Sequence, residues 1–282
     1  MRLRHFAVFL VIVWSLLPVF WMLRLAFMTP GELAAYPPHI WPPAPQLGSF
    51  FNILGYDFTT SAGMSMHASG QAGQIIAGLK NSLIIGVIVT VITTIVVVPL
   101  AYTFARLEFR YKNALLFAVL LSVSQPPVST LIPFFSLYIG LGLVGTRTGL
   151  VIVTLTITIP LVTWMLIGYF RNIPPVEKLA RIDGFGRGYT LMRIVVPMAK
   201  GGIAVAALMS FLLSWNEYVY AVVLVSGSDA VTLPAAMSGF LFQQPEPSHL
   251  AAAMWIAVIP PTVLGFVLQR HIVNMHLAEP VN

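Results

Sequence analysis

From Ser82 to Phe104 the chain is one uninterrupted apolar run with no charged residue, bounded by Lys80 on one side and Arg106 on the other. A run of that length is what an α-helix needs to cross a bilayer, since about 20 residues span roughly 30 Å of hydrocarbon. In lipid every backbone donor and acceptor must be satisfied within the segment, so a helix is the form it takes. The alternation of a transmembrane β-barrel strand is absent. Five further apolar runs reach similar length, two of them with a single charge, Arg24 and Glu217, and the six spans are expected over residues 6–28, 82–104, 114–142, 149–170, 202–225 and 251–269. The predicted fold class is therefore an all-α integral membrane protein of six transmembrane helices, with residues 1–282 forming a single transmembrane domain.

Composition closes off the alternatives to a membrane protein. Apolar residues make up 58% of the chain and charged ones 9%, against about 25% charged in a soluble domain. Too little polar surface remains to coat a water-facing globule. The first run is too long for a cleaved signal peptide and lacks a small-residue cleavage site, so it is expected to stay as a span. With no cysteine, disulfides, thiolate metal sites and cysteine nucleophiles are excluded. His5, His39, His67, His249, His271 and His276 show no paired spacing, so no metal site is predicted.

The net charge of +6 is distributed between the runs rather than along an arm or tail, which points to a lipid bilayer and not to nucleic acid. Twelve cations, Arg2, Arg4, Arg106, Arg110, Lys112, Arg171, Lys178, Arg181, Arg187, Arg193, Lys200 and Arg270, flank one side. Only three, Arg24, Lys80 and Arg147, flank the other. Positive charge stays in the cytoplasm, so both termini and residues 171–201 are expected there. The external loops are then residues 29–79 and 226–250, neither of which contains Lys or Arg.

The connection over residues 171–201 stands apart, being long and rich in charge. Pro174 and Pro175 suit a helix start, and Glu177 in the first turn favours the helix dipole and precedes Arg181 by four. Val176, Leu179 and Ala180 form an apolar stripe bordered by Ile182, with Lys178 beside it. Gly184 is expected to stop the helix in a left-handed conformation, with Asp183 fixing the turn. A second short helix is expected over residues 189–196, ending at Pro197. The result is a helix–glycine–helix hairpin whose apolar stripe needs a partner.

This loop resembles the signature of ABC-importer permeases, Glu-Ala-Ala, three residues, Gly, nine residues, Ile, any residue, Leu-Pro. Ala180, Gly184, Ile194 and Pro197 match it with both spacings kept, while Lys178, Leu179 and Val196 depart from it. The run Ile182-Asp183-Gly184 is similar to the carbohydrate-uptake branch, and Trp215-Asn216-Glu217-Tyr218 to a segment of sugar permeases of the maltose-transporter inner-subunit type. The resemblance implies the six-helix fold of that family, with residues 176–184 as a cytoplasmic coupling helix between helices 4 and 5 that docks on an ATPase subunit. It further implies a second permease, a different homologous chain, a dimer of ATP-binding subunits and an extracytoplasmic solute-binding protein. Together they would import a sugar or oligosaccharide across the bacterial inner membrane by alternating access. ATP and Mg would sit on the ATPase subunits and no cofactor on this chain, which is no enzyme and has no Gly-x-x-x-x-Gly-Lys phosphate loop.

Other positions carry two readings each. Glu217, the carboxylate of the fifth span, either faces the substrate path with Trp215, Asn216 and Tyr218 or holds the chain to a neighbour through an ion pair or hydrogen bond. Gln125, Ser122 and Ser124 either line a cavity beside Pro126–Pro127 or bond between helices. That proline pair and Pro260–Pro261 are expected to kink the third and sixth spans. An integral-membrane enzyme would need clustered acids or a nucleophile at membrane depth, which the spans lack. An ion-coupled carrier would need more intramembrane ionisable groups than Glu217. An ABC importer for another solute, such as glycerol phosphate, is the remaining alternative.

Overall fold

The computed structural model describes residues 2–60 and 63–273. The cytoplasmic placement expected for Met1 and for residues 274–282 falls outside them. Four helices among the described residues are long and apolar enough to cross a membrane: His5–Ala26, Ala72–Arg106, Arg147–Asn172 and Pro247–Gln269. Two bent pairs bring the number to six if each is one span: Lys112–Val123 with Pro127–Leu141, and Arg187–Met198 with Lys200–Trp215.

The chain divides into two compact units, one of residues 1–79 and 231–259, the other of residues 80–230 and 260–282. In the first, the N-terminal helix presents its apolar side chains outward, and the segments after it are held by polar contacts. Thr29 and Glu32 form a reciprocal capping box on the helix Pro30–Leu33. Ser248 Oγ donates to the Met28 carbonyl at 2.9 Å, and Glu246 accepts from Ser69 Oγ at 3.3 Å and lies 3.0 Å from His249 Nδ1. A two-stranded antiparallel sheet pairs Phe58–Thr59 with Ser65–Met66.

The second unit is built on the long helix Ala72–Arg106, from residue 80 onward, and on Arg147–Asn172 and Lys200–Trp215. Its core includes Val97, Ala101, Tyr102, Phe104, Val162, Leu166, Phe170, Val195 and Ala206. A hydroxyl pair, Thr93 with Thr158 at 2.9 Å, is buried between two of these helices, each group satisfying the other where water is absent. Gly202 lets the Tyr169 ring pack so closely that a Cβ there would fall 2.4 Å from the ring.

Two expected spans are interrupted. The third is broken, not kinked: helix Lys112–Val123 meets Pro127–Leu141 at 90°. Pro126 is extended (φ −66°, ψ 133°) and Pro127 starts the second helix, a position that needs no N–H. Ahead of the prolines, Ser122 and Ser124 bond back to the Val119 and Leu120 carbonyls, which weakens the helix end further. The fifth span also departs from one helix over 202–225, since Lys200–Trp215 ends at Asn216 and Val219–Leu224 begins anew. Pro260–Pro261, by contrast, lies inside the continuous helix Pro247–Val273.

Candidate functional site: the loop between the fourth and fifth spans

Val176 is the N-cap of a helix Glu177–Ile182, and Asp183 is its C-cap. Gly184 follows with φ +81°. Its N–H donates to the Arg181 carbonyl at 3.1 Å, while the Phe185 N–H reaches the Ala180 carbonyl at 2.8 Å. These two bonds with a left-handed glycine form a Schellman motif, in which the backbone itself closes the helix end. The turn therefore does not depend on the Asp183 side chain. The chain continues through Arg187–Tyr189 and a wide π turn, Thr190–Val195, into Val196–Met198. The second helical stretch thus runs past Pro197, whose missing N–H the shifted ladder just before it accommodates.

The loop helix has three distinct faces. Ala180 is 3% exposed and Val176 packs on the core cluster, so the stripe of Val176, Leu179 and Ala180 is not presented as one surface. The reason lies in Glu177. Instead of turning to Arg181, its carboxylate lies 3.4 Å from the Arg106 guanidinium. Arg106 also donates to the Ile173 and Pro174 carbonyls, fixing the loop's entry to the last turn of Ala72–Arg106. Drawn inward at Glu177, the helix turns Ala180 toward the core and leaves Leu179 (65%) and Ile182 (81%) outward. Arg106 was missed in the sequence because it reads as an ordinary flanking cation; the signal was a Glu177 that had more than one cation within reach.

The fifth-span candidates divide by environment. Trp215 is 3% exposed and stacks on Phe211 at 5.5 Å, so its ring is engaged within the chain and offers no open platform. Glu217 caps the next helix, its two oxygens accepting from the Tyr220 and Ala221 N–H groups at 2.8 and 2.9 Å. Its bonds thus hold this chain's own backbone. Asn216 is exposed and donates to the Leu212 carbonyl at 2.8 Å, and Tyr218 is also at the surface. Ser122, Ser124 and Gln125 are exposed at the other break. The helices that follow the two breaks pack together: Thr130 and Tyr220 share a hydroxyl hydrogen bond, and Phe134 meets the Tyr220 ring edge-on at 5.8 Å. Sequence-distant polar positions are thereby placed beside one packed pair of half-helices.

Over residues 97–274 the chain matches the family described as binding-protein-dependent transport system inner membrane component. It is 32% identical to a trehalose transport system permease protein of Mycobacterium tuberculosis, across 94% of this chain and 91% of that protein. It is also 29% identical to a sulfoquinovosyl glycerol transport system permease protein of Agrobacterium fabrum, across 96% and 90%. A trehalose/maltose transport system permease protein of Thermococcus litoralis is 32% identical across 70% of this chain and 72% of its own. Among solved structures, a bacterial ABC transporter involved in import of the acidic polysaccharide alginate superposes with a TM-score of 0.76 over 95% of both chains at 18% identity, a likeness of fold.

Proposed function

Because this chain belongs to the binding-protein-dependent transport system inner membrane component family, we propose that it forms one half of a carbohydrate-importing pore, driven from the loop of residues 171–201. It is a permease subunit of an ABC importer, a transport component and not an enzyme. Its partners are a second permease, a dimer of ATP-binding subunits that carry ATP and Mg, and an extracytoplasmic solute-binding protein. The carbohydrate substrate is supported by relatives named for trehalose, maltose and sulfoquinovosyl glycerol. Both termini and the loop face the cytoplasm, following the imbalance of Lys and Arg between the two sides.

The observation that carries the mechanism is the Arg106 clamp. A helix with an exposed Leu179–Ile182 edge is tied at its start to the end of Ala72–Arg106 by an ion pair and two carbonyl contacts. When the ATPase subunits close, the docked edge is displaced, and the clamp transmits that displacement to the long helix as a push at its end. A packed helix responds as a rigid element, so the cavity it lines changes its side of access. The ion-coupled alternative loses its one intramembrane carboxylate, because both oxygens of Glu217 are already engaged by backbone N–H groups. The experiment is reconstitution: this chain with a second permease, the ATPase and a sugar-loaded binding protein in liposomes should import sugar only with ATP. Uptake by this chain alone, driven by a proton gradient, would reject the reading.

A further inference from the structure

Beside the loop helix lies a cavity of about 310 Å³. Arg106 closes it from the end of the long helix, Glu177, Lys178 and Arg181 from the loop helix, and Arg187 and Thr190 from the segment after the Schellman turn. Glu177 is taken by Arg106. Lys178, Arg181 and Arg187 form no ion pair among the described residues. Three uncompensated cations therefore converge on one cavity. At 100° per residue, Glu177, Lys178 and Arg181 share an arc of about 100°, while Leu179 and Ile182 lie beyond it. The cationic cavity and the outward apolar edge are thus separate faces of one helix.

We propose that this cavity binds a phosphate-bearing anion, which joins the loop helix to the end of the long membrane helix. Guanidinium groups match phosphate oxygens in planar, bidentate pairs, and the negative charge of a phosphate, one on a phosphodiester headgroup and nearly two on a monoester, relieves the mutual repulsion of three like charges. The volume falls at the lower end of small-molecule sites, about 300–1,000 Å³, so it admits a phosphate and part of its substituent but no large ligand. Two sources share this chemistry: the headgroup of an anionic phospholipid and a soluble phosphate ester. Arg106 ends an apolar helix, so the cavity lies where that helix gives way to the polar loop. An occupant would bridge Arg106 with Arg181 and Arg187 and stiffen the connection through which the loop moves the pore. The side of the membrane this site faces rests on the permease reading, but binding is measured apart from transport.

The test uses the assembled transporter in nanodiscs. In phosphatidylcholine discs, calorimetry follows inorganic phosphate and a hexose monophosphate as soluble probes. In mixed discs, native mass spectrometry follows retention of phosphatidylglycerol. Binding in either arm supports the site and identifies its source. The paired substitution Arg181→Gln with Arg187→Gln should weaken that binding by about tenfold or more, and Lys178→Gln alone by a smaller factor. Arg171→Gln, outside the cavity, should leave it unchanged. A transporter that binds phosphate in discs yet imports no sugar in liposomes would support the site while counting against the carbohydrate reading. No binding in either arm, or undiminished binding in the paired variant, overturns the proposal. So does a paired variant whose only defect is loss of the ATPase subunit, since the charges would then serve a protein carboxylate.

Discussion

Replacing Gly184 by valine perturbs the loop through backbone conformation alone. Nothing lies within 4 Å of a Cβ built on Gly184, so the substitution causes no clash. Its cost comes from φ +81°, a left-handed conformation that disfavours an L-residue by about 1–2 kcal/mol, and a β-branched one more. If the turn instead relaxes, it forfeits the bonds of Gly184 N–H to Arg181 and of Phe185 N–H to Ala180, each contributing about 1 kcal/mol. Either route costs about 2 kcal/mol, and a factor of ten in population corresponds to about 1.4 kcal/mol. The docking-competent loop should therefore be depleted by about tenfold or more, with apparent affinity for the ATPase reduced in proportion. The assay compares uptake, substrate-stimulated ATP hydrolysis and ATPase co-purification in membranes with matched permease levels. Gly184→Asn should recover most of the loss, because asparagine tolerates the left-handed region. Gly186→Ser should be close to neutral, since Gly186 has φ −73° and is an N-cap. Normal uptake, stimulation and co-purification in Gly184→Val would refute the reasoning, as would equal defects at Gly184 and Gly186.

Leu179→Asp places a charge on the outward edge, and because Leu179 is 65% exposed in the chain alone, permease levels should hold while ATPase co-purification falls. Glu217→Ala removes the acceptor for two backbone N–H groups and should lower stability by about 1–3 kcal/mol, seen as a reduced unfolding midpoint in detergent, with Gln a milder change. Gly202→Val forces a branched side chain against the Tyr169 ring and should cost about 1–3 kcal/mol by overpacking, read as loss of folded protein by size-exclusion chromatography. Cysteines introduced at Tyr36 and at Lys178 should label from opposite sides of the membrane; labelling of both from one side contradicts the orientation.

The membrane class was legible because the apolar runs reach bilayer length, and the loop helix because proline, acidic first turn and glycine stop agree. What could not be read was tertiary. A stripe of Val176, Leu179 and Ala180 identifies an apolar face but not which part of it the chain keeps for itself. That was decided by Arg106, distant in sequence, drawing Glu177 inward. The two proline pairs look alike in sequence, yet only Pro126–Pro127 breaks its helix. Its neighbours Ser122 and Ser124 compete for the backbone, whereas Val258 and Ile259, which precede the other pair, offer no such competition. The interruption at Asn216–Tyr218 carries neither proline nor glycine. It is stabilised by the Glu217 cap on the following helix, a geometry that hydropathy does not register. Glu217 was singled out for the substrate path or for a neighbouring chain, and its bonds hold its own backbone.

The central claim, that the outer edge of the loop helix is where the ATPase subunit docks, is tested most directly by cross-linking. The chain has no cysteine, so Leu179→Cys and Ile182→Cys each supply a single reactive thiol. In the assembled, active transporter, a short thiol-to-amine cross-linker should join either position to the ATPase subunit, with a yield that changes on ATP binding. A cysteine at Tyr36 should give no such product. Adducts from neither position 179 nor 182, in a transporter that still imports sugar and hydrolyses ATP, would contradict the account.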